Sequence, residues 1–178
     1  MPSGAERRLY WGAGLAVIAL DLVTKALAER FLISSVGRQM FGQWFQLRLV
    51  YNPGAAFGLD VGPYSRWIFM LVALVAVVAL YRMSRNALPG DWFRQLSLGL
   101  VSGGALGNLV DRVRTVQGVV DFLDVGLGAY RWPTFNVADM AVSCGAIALA
   151  ISLWREDARR DAIPTTTPPE PVSIRTED

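Results

Sequence analysis

The chain has 178 residues, 53% of them hydrophobic and 18% charged, and its mean hydropathy is +0.34, a balance that points to a membrane protein. The formal net charge of +2 gives no basis for a nucleic-acid partner. There is no histidine, which excludes Ser-His-Asp and Cys-His triads and the usual zinc site, and a single cysteine, Cys144, allows neither an intrachain disulfide nor a cysteine metal cluster.

Residues 1–8 are short, polar and basic. Residues 9–27 are apolar apart from Asp21, Thr24 and Lys25, and long enough to cross a hydrocarbon core. Arg7-Arg8, the apolar stretch and Ala26-Leu27-Ala28 also match a cleavable signal peptide. Against that, Asp21 and Lys25 share one helical face, which suits a retained helix. The pair reads either as a boundary ion pair, with Lys25 snorkelling to the headgroups, or as a positioned charge pair that shapes a site.

Residues 44–51 alternate and are rich in aromatic side chains, which predicts a strand. Asn52-Pro53-Gly54 breaks it as a turn. In the run YNPGAAFG, small residues leave room for an extended backbone, and the Asn52 amide is read as free to bond a peptide group. Residues 67–81 form the clearest span. A polar connector with Pro89-Gly90 follows, then a third apolar run, 96–110, rich in glycine, alanine and serine that let membrane helices pack closely. At its end Asn108 and Arg112 share a face, with Asp111 beside them. They read as groups that orient a substrate carbonyl or a lipid phosphate, or as an interhelical polar clamp.

The stretch GVVDFLDVGLGAYRWPTFNVAD, residues 118–139, carries the most informative carboxylates. Asp121 sits between valines and Phe122. Asp124, in an alternating segment, reads as solvent-facing. Asn136 has the character of a helix N-cap, with Asp139 placed to bond back to it. Two neighbouring carboxylates can hydrolyse a peptide without metal or histidine: the ionised one takes a proton from water and the protonated one polarises the carbonyl. The macrodipole at a helix start favours a carboxylate at Asp139, and apolar neighbours favour the neutral form of Asp121. The fourth run, 136–154, holds Cys144 among small residues, where it reads as a packing residue. The charged, then Pro/Thr-rich end of the chain reads as disordered.

The expected architecture is an all-α membrane protein with a small β element. Four transmembrane helices lie at about 9–29, 66–83, 95–112 and 137–155, within a membrane domain of residues 1–155. Extracytoplasmic segments lie at about 30–65 and 113–136, and residues 156–178 form a cytoplasmic tail. Arginine density at the short flanks, including Arg7, Arg8, Arg85, Arg155 and Arg159, favours both termini in the cytoplasm.

Five motifs, DLVTK, YNPGAAFG, GGALGNLVDR, VVDFLDV and FNVADM, occur in this order between residues 9 and 154. In them the chain resembles the bacterial lipoprotein signal peptidase (signal peptidase II) family. That resemblance implies four membrane helices with an extracytoplasmic β-cradle, in the bacterial cytoplasmic (inner) membrane, with the active site near the outer face. It implies an aspartic endopeptidase that cleaves before the lipidated cysteine of diacylglyceryl-modified prolipoproteins. The catalytic positions fall on Asp121 and Asp139. Supporting positions fall on Asp21, Lys25, Asn52, Gly54, Asn108, Asp111, Arg112 and Asn136. No metal and no cofactor are implied. The partners are lipidated prolipoproteins and membrane lipids, and the expected state is a monomer. The alternative is a small proton-coupled transporter or scaffold, with Asp21, Asp111, Asp121 and Asp139 as a relay or packing network. Such transporters often show paired repeats with broken helices, which this sequence lacks.

Overall fold

The computed structural model describes residues 1–34, 36–54 and 62–161, with side chains as far as residue 158. Ser3 begins the first helix. Its hydroxyl accepts the Glu6 N–H at 3.3 Å, and Glu6 bonds back to the Ser3 N–H at 2.6 Å. This capping box starts helix α1, Gly4–Phe31, ahead of the apolar run that predicted it. Helix α2 covers Ser65–Asn86, and α3 covers Trp92–Arg114 with Asp91 accepting the Arg94 N–H. The connector between them shrinks to 87–91, with Gly90 at φ 89°. Helix α4, Val137–Asp161, continues through the first residues assigned to the tail. The rest of that tail, residues 162–178, lies outside the described residues.

Among the described residues, three segments are long and apolar enough to cross a membrane: Gly4–Phe31, Gly62–Asn86 and Val137–Ala158. Helix α3 is not among them, for a physical reason. It packs against α1, α2 and α4, and the surface it buries against them is mostly small and polar. Buried on it are Gln95, Ser97, Ser102, Gly103, Gly104, Gly107, Asp111 and Arg112. A Cβ at Gly103 would come within 2.6 Å of the Gly14 carbonyl oxygen of α1, so only glycine permits this backbone approach. Some buried polar groups on α3 are paired across the helices. The Tyr10 hydroxyl meets Ser102 Oγ at 3.0 Å, and Gln95 Nε2 donates to the Ser84 carbonyl at 2.8 Å.

Among the described residues, four antiparallel strands lie in chain order: β1 (Arg38–Phe41), β2 (Phe45–Asn52), β3 (Val119–Leu127) and β4 (Tyr130–Arg131). Strand β2 matches the predicted 44–51 strand. Strand β3 was not predicted as a strand, and it forms the link between sheet and helices. It contacts α1 and α3, and Val119 to Phe122 are buried on both faces. Opposite one another stand Val50 and Asp121, and Asn52 and Val119. Gly118, at φ 101°, leads into β3 against the Asn52 carbonyl, where no Cβ would fit.

Candidate active site

The sheet delivers Asp121 to the ends of the helices. On β3, residues 119 and 121 share a face. Asn52, opposite Val119, therefore reaches diagonally to Asp121, and its Nδ2 donates to Asp121 Oδ2 at 3.1 Å. From the helical side Asn136 Nδ2 donates to Asp121 Oδ1 at 2.8 Å.

Asn136 and Asp139 form the cap read from the sequence. The Asp139 N–H donates to Asn136 Oδ1 at 2.9 Å, and the Asn136 N–H donates to Asp139 Oδ2 at 3.2 Å. Asn108, on α3, donates through Nδ2 to Asp139 Oδ1 at 2.8 Å. Its Oδ1 accepts from Asn136 Nδ2 at 3.1 Å and from Lys25 Nζ at 2.8 Å. The two amides thus tie α3, the start of α4 and β3 together.

Beneath them lies a charge cluster. Lys25 Nζ stands 2.7 Å from Asp21 Oδ2 and 2.8 Å from Asp111 Oδ2, with all three side chains essentially buried. Lys25 therefore does not snorkel to the headgroups; its ammonium is a fixed internal donor. The other oxygen of Asp21 accepts the Ala138 N–H of α4 at 2.9 Å. Asp111 Oδ2 accepts the Val120 N–H of β3 at 3.2 Å. Each carboxylate thus ties the lysine to a second element.

Arg112 completes the ring. Its Nη2 donates to the Gly54 carbonyl at 2.8 Å, and its guanidinium lies over the Phe69 ring. Gly54 in turn donates its N–H to Asn52 Oδ1 at 3.0 Å. Every site residue singled out in the sequence belongs to this one continuous network.

A cavity of about 620 Å³ opens onto both Asp121 and Asp139, with Asn52, Asn108 and Arg112 in its wall. Asp121 is 2% exposed. Burial pushes its pKa up to about 7, helped by the neighbouring Asp139 charge and opposed by the hydrogen bonds from Asn52 and Asn136. The arrangement can hold a proton on Asp121 while a second carboxylate, Asp139, faces the same cavity.

Three expectations are corrected here. Asp124 is not solvent-facing. It lies on the face of β3 opposite Asp121 and is 2% exposed, with Arg131 Nε at 2.6 Å from Oδ1. The Asn52 amide is not free, because it is engaged by Asp121. Cys144 is not a buried packing residue; it is exposed on α4 and lines the carboxylate cavity.

The sequence reading missed the cavity's apolar wall. Trp132, Pro133, Thr134 and Phe135 form one side, held by paired backbone bonds between Leu123 and Phe135. Met140, Val142 and Ser143 of α4 form the other. The signal for Val142 and Ser143 was present, since they follow Asp139 at helical i+3 and i+4 spacing.

Fold and site together define a multi-pass membrane protein, mostly helical, whose polar interior converges on a carboxylate-lined cavity. Comparison with known proteins narrows this. The family model described as Signal peptidase (SPase) II matches residues 13–155, and the chain belongs to that family. A lipoprotein signal peptidase of Rhodococcus jostii is 45% identical over 84% of this chain and 75% of its own length. One of Syntrophotalea carbinolica is 41% identical over 89% of this chain and 98% of its own. Among solved structures, a bacterial membrane enzyme at 2.3 Å resolution superposes with a TM-score of 0.76. It is 27% identical and covers 85% of this chain and 91% of its own.

Proposed function

We propose that this chain is a membrane-embedded aspartic endopeptidase in which Asp121 and Asp139 activate water between them. Family membership makes it a protease that removes the signal peptide from prolipoproteins. It also disfavours the transporter or scaffold reading. The aspartic mechanism rests on one observation: both carboxylates line a single cavity while shared amides fix them, and Asp121 holds a proton to about 7.

In this mechanism Asp139, in the first turn of α4, takes a proton from water. Protonated Asp121 polarises the carbonyl that precedes the lipidated cysteine. Water adds to give a tetrahedral diol; this collapses as Asp139 passes its proton to the leaving nitrogen and Asp121 takes its own proton back from the diol. Asn52, Asn108 and Asn136 orient the pair. Asp21, Lys25 and Asp111 fix the elements that carry it. Arg112, whose Nε has no hydrogen-bond partner among the described residues, orients the substrate backbone together with Gly54. No metal or cofactor takes part in this scheme.

The substrate is a prolipoprotein carrying a diacylglyceryl cysteine, and its acyl chains remain in the bilayer beside the apolar cavity wall. Helix α3 crosses the bacterial inner membrane with the other three, enclosed by them, within a membrane domain of residues 1–155. Both termini, with the 156–178 tail, lie in the cytoplasm, and the sheet and site lie near the outer face. The enzyme works as a monomer. The test is single-turnover cleavage of a lipidated prolipoprotein peptide by purified protein, with and without a strong chelator. Chelator-sensitive cleavage restored by zinc would exclude the aspartic scheme.

A further inference from the structure

A second cavity, of about 660 Å³, opens between the start of α1 and the end of α2. Tyr10 in its wall is separated from Asp21 of the carboxylate cluster by roughly 16 Å of helix, at 1.5 Å per residue. Arg7, Arg8 and Arg85 line it together with Tyr10, Trp11 and Tyr81. The three rings form one cluster, with centroids 5.2 Å apart for Tyr10 and Trp11 and 5.9 Å for Trp11 and Tyr81.

The arginines are exposed, and among the described residues none of the three is paired with a carboxylate. The nearest acid in sequence, Glu6, is turned away. Its two oxygens accept the backbone N–H groups of Ser3 and Gly90. Arg85 Nη1 donates to the Tyr81 hydroxyl at 3.3 Å, which sets its guanidinium beside the ring cluster.

We propose that this cavity binds the phosphate of an anionic phospholipid. Three uncompensated guanidinium groups around one concavity call for an anion, and their planar forks match phosphate oxygens. Clustered tryptophan and tyrosine beside arginine mark the level of lipid headgroups on a membrane helix. Below the rings, the outer faces of α1 and α2 expose Leu15, Leu74 and Val78, a surface suited to acyl chains. A free phosphate ion would use the arginines alone and leave the aromatic and aliphatic surfaces without a role.

The test uses the full chain in mixed micelles containing equal amounts of phosphatidylglycerol and phosphatidylcholine, with bound lipid counted by native mass spectrometry. Wild-type protein retains phosphatidylglycerol over phosphatidylcholine by at least about tenfold. The combined Arg7→Gln, Arg8→Gln, Arg85→Gln variant loses that preference, and the corresponding triple lysine variant keeps part of it. Replacing three remote arginines, Arg30→Gln, Arg38→Gln and Arg48→Gln, removes the same charge and leaves the preference intact. Trp11→Leu with Tyr81→Leu weakens lipid retention.

Cleavage of a lipidated peptide reports that each variant is folded. If the triple glutamine variant does not fold, Arg85→Gln alone carries the test by a reduced preference. Equal retention by wild type and the folded arginine variants overturns the site. Displacement of the lipid by millimolar inorganic phosphate overturns the lipid in favour of a free anion. A preference that emerges only after truncation at Asp161 makes the acidic end of the chain the occupant and overturns the proposal.

Discussion

Asn136 donates to Asp121 Oδ1 at 2.8 Å with the same side chain that accepts the Asp139 N–H at 2.9 Å. One residue therefore sets the start of α4 and the orientation of a carboxylate on β3. Asn136→Ser keeps the capping oxygen but loses the amide. Serine preserves the cap, but the lost amide takes a donor from buried acceptors on Asn108, Val120 and Asp121, so stability should fall by about 1–3 kcal/mol. Cleavage per folded molecule should fall on the order of 10–100-fold, the size of effect seen when a partner that orients a metal-ligating side chain is removed. Melting curves and single-turnover rates per folded molecule check this; a wild-type rate per folded molecule would mean that Asn136 does not orient Asp121.

Asp121→Asn and Asp139→Asn each preserve shape and remove a proton acceptor. Each should lower turnover by several orders of magnitude, and the double variant should be little worse than either, because the two act as a unit. Asp124→Asn is the contrasting change. It weakens the buried pair with Arg131 and should destabilise by about 1–3 kcal/mol. Per folded molecule it should still cleave. A folded but inactive Asp124→Asn would contradict its position on the opposite face of β3.

The pH dependence follows from Asp121, whose pKa rises from 3.8 to about 7. As the proposed acid it must be protonated, so kcat/KM should fall with a midpoint near 7 on the alkaline side. Stability carries the same sign. The folded state holds the proton more tightly than the unfolded one. The contribution is therefore complete below 3.8 and is lost as pH rises through about 7. In Asp139→Asn the neighbouring charge is gone, so the stability midpoint should move down. It should stay above 3.8, because burial is the larger cause. Thermal melting across pH 4–8 measures both midpoints.

Lys25→Met leaves Asp21 and Asp111 buried without their shared cation. The expected loss is about 3–5 kcal/mol, the cost of breaking a buried pair from one side. Adding Asp21→Asn and Asp111→Asn removes the stranded charges while keeping acceptors for the Ala138 and Val120 N–H groups. That combination should recover much of the stability, measured by denaturation in detergent.

Cys144 lines the carboxylate cavity, so a small membrane-permeant maleimide should block cleavage by filling it. Cys144→Ser should remain active and be resistant to the reagent. Substrate present during labelling should slow the block. Labelling to completion without loss of activity would put Cys144 off the substrate path.

Much of this was readable from residue patterns. Apolar runs gave the helices, alternation gave β2, and Asn136 with Asp139 gave the cap. Strand β3 was not legible because Val119 to Phe122 are buried on both faces, which erases the two-residue period that marks a half-exposed strand. The alternation around Asp124 does put it on the face opposite Asp121. What it could not reveal is that Arg131 of β4 covers that face. Asn52 likewise depends on sheet register, which a local turn motif does not encode. For Cys144, a helix of small residues carries no mark of which side faces a neighbour. The enclosure of α3 is written in its glycines and serines, but which helices enclose it is a tertiary fact.

The carboxylate of Asp21 on the first helix receives an N–H from Ala138 on the last, and the lysine one turn away waits for Asp111 on the third. During synthesis, α1 emerges long before either partner exists. Its charged face stays incomplete until α3 and α4 have joined it. The buried ion cluster and the cavity beside it therefore close as the final assembly step, and a polypeptide stopped before α4 lacks Ala138 and Asp139. Such an unfinished chain leaves Asp21 without the Ala138 N–H that the last helix supplies.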